Sequence, residues 1–268
     1  MVGNRSNVGK TTIASALIRQ LNAAGKRTVG FKPYAGSQLR DLIDFMVEKY
    51  PTSRCKLFGK DAWKLTAASP LTEMDMIDLV TPSQVLSYPV WHTAVLMRTG
   101  SAALGNVEHF TNSQGASLRD RPDLRHIQAR TGLPLGEATV REKIGFDVAT
   151  RESPEKQRDA FNALLDLGVD AVVCEGMANW LPVWQDCPPV NHVILLADGK
   201  VTLLPDVDLS FSFDPDKVLR LVDELTEDFK PRKPLGPSVP FYLAEESRRE
   251  QVALQIIQGL VARTPQLQ

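Results

Sequence analysis

The sequence predicts an α/β fold, a mostly parallel sheet with helices on both faces. Three observations lead there. A loop bracketed by Gly3 and Gly9 runs directly into an apolar helix pattern that begins at Ile13. The segment Arg27 to Phe31 then reads as a short strand. Much later, a helix pattern opening at Ser153 and closed by Gly168 feeds the continuously apolar run Ala171 to Cys174. A helix followed by a wholly apolar strand suits a parallel sheet covered on both sides.

The elements follow in order. Ile13, Ala14, Leu17, Ile18 and Leu21 recur at helical spacing and make one buried stripe, with Gly25 placed to end the helix. Lys32 to Ser37 reads as a loop, Gln38 to Lys49 as a helix with Leu39, Leu42, Ile43 and Met46 inward, and Pro51 as its stop. A short helix fits Lys60 to Ala68. Residues 90–150 carry turn-forming glycines and prolines and scattered arginines (Arg119, Arg121, Arg125, Arg130, Arg141), read as solvated surface or as a lid or wall for an acidic substrate. Ser153 is a fitting N-cap with Pro154 at the first helical position. Val190 to Ala197 is a strand that Asp198-Gly199 turns into a hairpin with Lys200 to Leu204. Asp214-Pro215 opens a helix through about Phe229, and a final helix spans about Ala244 to Ala262. The resulting organisation is a domain over 1–229 with a long insertion at about 90–150, a proline-rich linker at 230–240, and a C-terminal helix in 241–268 that packs back on the domain.

Bulk properties narrow the functional classes. The chain has 268 residues, enough for one large α/β domain or a domain with an appendage. With 31 basic against 32 acidic residues, no global charge draws it to nucleic acid or to an anionic membrane. The cysteines Cys55, Cys174 and Cys187 form no CxxC pair, which suits a reducing compartment, and a cytoplasmic location is expected. His92, His109, His126 and His192 lack ligand spacing.

The chemistry concentrates at the start. In Gly3-Asn4-Arg5-Ser6-Asn7-Val8-Gly9-Lys10-Thr11-Thr12, glycines let the backbone curl so that N–H groups converge on phosphate oxygens. The N-terminus of the following helix adds partial positive charge. Lys10 can reach the β- and γ-phosphates, and the Thr11 hydroxyl can bind Mg²⁺. Phosphate contacts are therefore expected from Gly3, Asn7, Val8, Gly9, Lys10, Thr11 and Thr12, the pattern of a P-loop NTPase. The usual spacer has four residues, but Asn4 stands where its first glycine would be, and counting from Gly3 gives a longer spacer. Only Met1 and Val2 precede Gly3, so little of the strand that normally carries such a loop is expected.

Three further stretches bring a family into view. Phe31-Lys32-Pro33-Tyr34-Ala35-Gly36-Ser37 resembles the Lys-Pro loop of dethiobiotin synthetases. Asp61-Ala62-Trp63-Lys64-Leu65 is similar to the start of their Asp-Ala-x-x-Leu helix. Val173-Cys174-Glu175-Gly176-Met177-Ala178-Asn179-Trp180 resembles their strand ending in Glu-Gly-Ala-Gly-Gly-Trp, with Ala178-Asn179 in place of Gly-Gly. The longer loop spacer is also theirs, and the branch includes the ATPase domains of amidotransferase-linked synthetases of cobalamin biosynthesis. The resemblance implies ATP and Mg²⁺ as cofactors, with Thr11, Asp61 and Glu175 holding the metal. It implies Lys10 and Lys32 as catalytic residues, Lys32 touching the transferred phosphate or a substrate carboxylate, and Ser37 touching substrate. The implied reaction is ATP-dependent ligation. A carboxylate or carbamate is phosphorylated, and the mixed anhydride is closed or attacked by nitrogen. Two subunits facing each other across the site would suit it.

Other readings stay open on the residues alone. Asp61 also fits as an acid favourable to its helix dipole, Lys32 as a surface lysine beside a turn, and Ser37 as a common loop residue. The departure at Ala178-Asn179 puts the family's own diamine substrate in doubt. A P-loop ATPase acting as a nucleotide-dependent regulatory or partner-binding protein is the alternative to a ligase, and a homologue without catalysis is a third.

Overall fold

The computed structural model describes residues 1–3, 9–49, 57–71, 76–88, 93–118, 121, 125, 128–129, 132, 134, 136–152, 154–177, 184, 187–197, 200–205, 239–240 and 246–261. In chain order the elements are β1 (Val2–Gly3), α1 (Lys10–Ala23), β2 (Thr28–Phe31), β3 (Tyr34–Gln38), α2 (Leu39–Lys49), α3 (Lys60–Ala68), α4 (Ile77–Val80), β4 (Ser83–Tyr88), β5 (Thr93–Thr99), β6 (Glu108–Thr111), α5 (Ser113–Ser117), β7 (Thr139–Val140), α6 (Phe146–Glu152), α7 (Pro154–Asp166), β8 (Ala171–Cys174), β9 (His192–Ala197), β10 (Lys200–Pro205), β11 (Val239–Pro240) and α8 (Glu246–Val261). The class is α/β, as the sequence predicts. The chain forms two compact units, one comprising 1–31, 68–70 and 168–268, the other 32–67 and 71–167.

The first unit is built around α1. Ile13, Ala14, Ala16, Leu17 and Ile18 are buried, so the helix is enclosed on more than one side. It packs against β2, β8 and α8, and Val252, Ala253 and Ile256 of α8 are buried. Its C-terminus closes as the sequence suggests. Gly25 takes φ 81°, its N–H donates to the Asn22 carbonyl, and the Lys26 N–H donates to the Leu21 carbonyl. That pair of bonds satisfies carbonyls that would otherwise be left open at the helix end. The Asn22 side chain then grips Thr28, accepting from its N–H and donating to its carbonyl, which sets β2 against the helix.

The strands next to α1 pair in parallel. Thr28 to Phe31 run beside Ala171 to Cys174, and Val2 and Gly3 beside Leu195 and Leu196. Backbone bonds carry one ladder to the other: the Met1 nitrogen donates to the Cys174 carbonyl and the Gly176 N–H to the Met1 carbonyl. The short first strand thus lies between β8 and β9. The hairpin predicted after Val190 is present as antiparallel pairing of β9 with β10, from Lys200 opposite Ala197 to Pro205 opposite His192. Its turn residues, Asp198 and Gly199, lie outside the described residues, as does the helix expected over 214–229. Val239 and Pro240, at the end of the proline-rich stretch, pair with Val201 and Lys200.

The second unit contains a five-stranded sheet in the order β3-β4-β5-β6-β7. Here the sequence reading is corrected. Tyr34 to Ser37, expected in a loop, belong to β3, which pairs in parallel with β4 from Tyr34 opposite Ser83 to Gln38 opposite Ser87. The stretch expected to be turns and surface contains β5, antiparallel to both β4 and β6, and β6, which pairs in parallel with β7 on its other side. The physical reason is that much of this sheet's interior is polar. Ser83, Gln84, Arg98, Thr99 and Thr111 are buried, so the apolar alternation that announces a strand is missing. Gly36 has a packing reason to lie within β3. A Cβ there would meet the Phe146 ring at 2.7 Å. On the apolar side, Leu39, Leu42, Leu57, Phe58, Ala62, Ile77, Leu86, Val95 and Leu96 form one buried cluster. Phe45 and Trp63 pack against it, Phe45 edge-on to both Phe58 and Trp63, and Trp63 stacked on Phe58.

Candidate functional site

In the first unit the geometry centres on the start of α1. Gly9 sits at the N-cap in the left-handed region, with φ 91° and ψ 13°. A side chain there would cost about 1–2 kcal/mol, so the turn into the helix calls for glycine. The Gly9 carbonyl accepts the first helical bond, from the Ile13 N–H. Lys10 and Thr11 follow in the first turn, and both are buried. The expected phosphate-contacting residues Asn7 and Val8 lie outside the described residues, while Gly3 ends β1 and Thr12 lies within α1.

Glu175 reaches this turn from far along the chain. It is the residue after β8, and its N–H donates to the Phe31 carbonyl, which carries the parallel ladder one step past the strand. Its side chain is 1 % exposed. The Thr11 hydroxyl donates to Glu175 Oε1 at 2.9 Å, a contact between residues 164 apart in sequence. Two of the three residues assigned to a metal are therefore neighbours, and both offer oxygen. That is the donor chemistry of a hard divalent cation. Among the described residues no cluster of three or more His, Cys, Asp or Glu side chains would cage a metal. Mg²⁺ does not need one, because it keeps several waters and takes the rest of its shell from one or two protein oxygens and from substrate phosphates. The pair Thr11 and Glu175 fits that mode.

The remaining candidates belong to the second unit. Lys32 and Asp61 are brought together, with Lys32 Nζ 2.6 Å from Asp61 Oδ2. The lysine side chain is 7 % exposed and the carboxylate 38 %. Asp61 lies in the first turn of α3, so it also faces favourable helix-dipole charge. Lys32 is fixed through its backbone, its N–H donating to the Val80 carbonyl. Ser37 is half-buried on β3, with its hydroxyl oxygen 2.8 Å from where a Cβ on Gly59 would stand.

Among the described residues, two of the arginines expected in the middle of the chain are engaged with aromatic rings. Arg121 lies over the Tyr88 ring and donates to its hydroxyl. The Arg141 guanidinium is 3.8 Å from the centroid of Phe110. Trp184 is buried and meets Phe31 edge-on with ring centroids 5.1 Å apart, which makes it a packing residue in the first unit.

No family model matches the chain, and no curated protein matches it.

Cys174 stands directly before Glu175 and gives a check on this strand end. Burial pushes its thiol up to about 12, with the nearby Cys187 adding to the rise. The thiolate is the reactive form. Cys174 is half-buried at the end of β8, and at pH 8 it is expected to alkylate much more slowly in the folded protein than after denaturation. Mass spectrometry of the peptides from a timed iodoacetamide reaction measures this. Rapid labelling of Cys174 under native conditions would mean that the end of β8 is open to solvent.

Proposed function

We propose that this protein is an ATP- and Mg²⁺-dependent ligase resembling dethiobiotin synthetase, which activates a carboxylate or carbamate by phosphoryl transfer. The observation that carries the proposal is the buried contact between Thr11 and Glu175 at the first turn of α1. A hydroxyl and a carboxylate beside a glycine-led helix N-terminus provide oxygen ligands for Mg²⁺ next to N–H groups for phosphate. Mg²⁺ there would draw charge from the β- and γ-phosphates, and Lys10 would neutralise more of it. The γ-phosphoryl group would pass to a carboxylate or carbamate oxygen as the bond to ADP breaks. Nitrogen would then attack the activated carbon and expel phosphate.

Lys32, Asp61 and Ser37 enter by resemblance. Lys32 is proposed to meet the transferred phosphoryl group or the substrate carboxylate, Asp61 to contribute to the metal's shell, and Ser37 to hydrogen-bond substrate. A small carboxylate or amine is the expected substrate class. No helix among the described residues is long and apolar enough to cross a membrane.

The test is ADP release measured with a panel of carboxylates and diamines, with and without bicarbonate, across a magnesium titration. Release that depends on one substrate and on magnesium is the expected result. Tight ATP binding with no substrate-dependent release would favour the regulatory ATPase. Absence of any magnesium-dependent affinity for a nucleoside triphosphate would overturn both.

A further inference from the structure

Arg98 lies on β5 and is completely buried. Its guanidinium donates to three main-chain carbonyls: Nε to Leu57 at 2.8 Å, Nη1 to Gly100 at 2.7 Å, and Nη2 to Thr81. A guanidinium is a rigid planar fork with donors in fixed directions, so it holds these backbone segments at fixed separations.

Two of the acceptors lie beside the Lys32–Asp61 pair in sequence and hydrogen bonding. Thr81 follows Val80, the residue whose carbonyl accepts the Lys32 N–H at 2.8 Å. Leu57 opens the segment Leu57-Phe58-Gly59 that leads into α3, and Asp61 stands in the first turn of that helix. Gln84 reinforces the same segment. It is paired with Arg98 across β4 and β5 and is completely buried. Its Oε1 is 3.1 Å from the point where a Gly59 Cβ would stand, so it presses on the backbone just before α3. Everything in this chain of contacts belongs to the second unit.

We propose that Arg98 is a positioning residue, whose buried guanidinium sets the spacing of the Lys32–Asp61 pair by tying the segment before α3 to the segment after α4. The catalytic consequence rests on the ligase reading above, but the spacing itself does not. With Arg98 removed, Leu57 and Thr81 lose their common donor, and the two backbones that carry the lysine and the carboxylate move independently.

The experiment compares wild type with Arg98→Met, Arg98→Lys and Asp61→Asn in the full chain. Each is treated with acetic anhydride, and acylation of each lysine is followed by mass spectrometry. Methionine keeps most of the volume and lysine keeps the charge, so one of the two gives a folded protein by circular dichroism. In that variant Lys32 is expected to acylate faster by a factor on the order of ten, approaching the rate in Asp61→Asn. Lys156, which pairs with Glu108 and donates to the Asn106 carbonyl in the same unit, is the control. Its rate is expected to stay within about twofold of wild type. Combining the Arg98 substitution with Asp61→Asn should add little to the Lys32 rate, because the spacing matters only while both partners are present. An unchanged Lys32 rate in a folded Arg98 variant would overturn the proposal. So would a parallel rise at Lys156, which would show general loosening of the unit. Neither readout involves ATP, so failure of the ligase reading leaves this test intact. If substrate-dependent turnover is found, the folded Arg98 variant should lower kcat.

Discussion

Glu175→Gln is expected to remove the magnesium dependence of nucleotide binding and to lower kcat/KM by roughly 100-fold or more. The substitution is nearly isosteric. The amide oxygen still accepts from the Thr11 hydroxyl, now 2.9 Å from Glu175 Oε1, so the local packing survives. Only the negative charge is lost, and with it the attraction for a divalent cation. Magnesium-dependent and magnesium-independent nucleotide affinities, measured by calorimetry, separate the two effects. Nucleotide should raise the melting temperature of the wild type in proportion to its affinity, and much less in the variant when magnesium is present. Folding itself should be little affected. Glu175 is 1 % exposed, and a buried carboxylate carries a desolvation cost that a neutral amide does not. Magnesium-dependent binding that survives in Glu175→Gln would remove Glu175 from the metal's shell and take away the main support for the proposed activity.

The parts of this fold that were legible are those whose signal is local. The turn from Gly9 into α1, the helix from Lys60 to Ala68 and the strand from Ala171 to Cys174 each announce themselves within one short window; α3 and β8 have the expected bounds, and α1 begins directly after Gly9. Thr11 and Glu175 were assigned to one metal by resemblance, and the fold brings them together because β8 runs parallel to β2 and ends beside the first turn of α1. The second unit was much harder to read. Tyr34 finds its strand partner at Ser83, and Gln84 finds Arg98, so the elements are set by pairing across distant sequence. The resemblance gives Lys32 a role toward the transferred phosphate or a substrate carboxylate and Asp61 one toward the metal, yet their ion pair carries no signature in sequence. Arg98 belongs to none of the sequence motifs. It follows Val95, Leu96 and Met97 in an apolar run, and an arginine there was the available signal. Its acceptors are carbonyls of three separate segments, which no side-chain pattern encodes.

Lys32→Ala is the substitution that best separates a ligase from a regulatory ATPase. Its expected effect is a fall in kcat of roughly 100- to 1,000-fold, with the affinity for MgATP within about threefold of wild type. The split follows from where the groups lie. Gly9, Lys10, Thr11 and Glu175 belong to the first unit, and the bonds that shape the turn, Ile13 N–H to the Gly9 carbonyl and the Thr11 hydroxyl to Glu175, lie within it. A charge needed only as the phosphoryl group moves lowers the barrier without strengthening ground-state binding, so its loss appears in kcat. The variant should also fold, because the asymmetry of the ion pair favours this direction of truncation. Removing the lysine leaves a carboxylate that is 38 % exposed and can be hydrated, whereas removing Asp61 leaves an ammonium that is only 7 % exposed. Arginine at position 32 restores charge but not the compact ammonium, so only partial recovery of turnover is expected. If Lys32→Ala hydrolyses ATP at the wild-type rate, the lysine takes no part in phosphoryl transfer. The ion pair with Asp61 would then be a structural contact within the second unit.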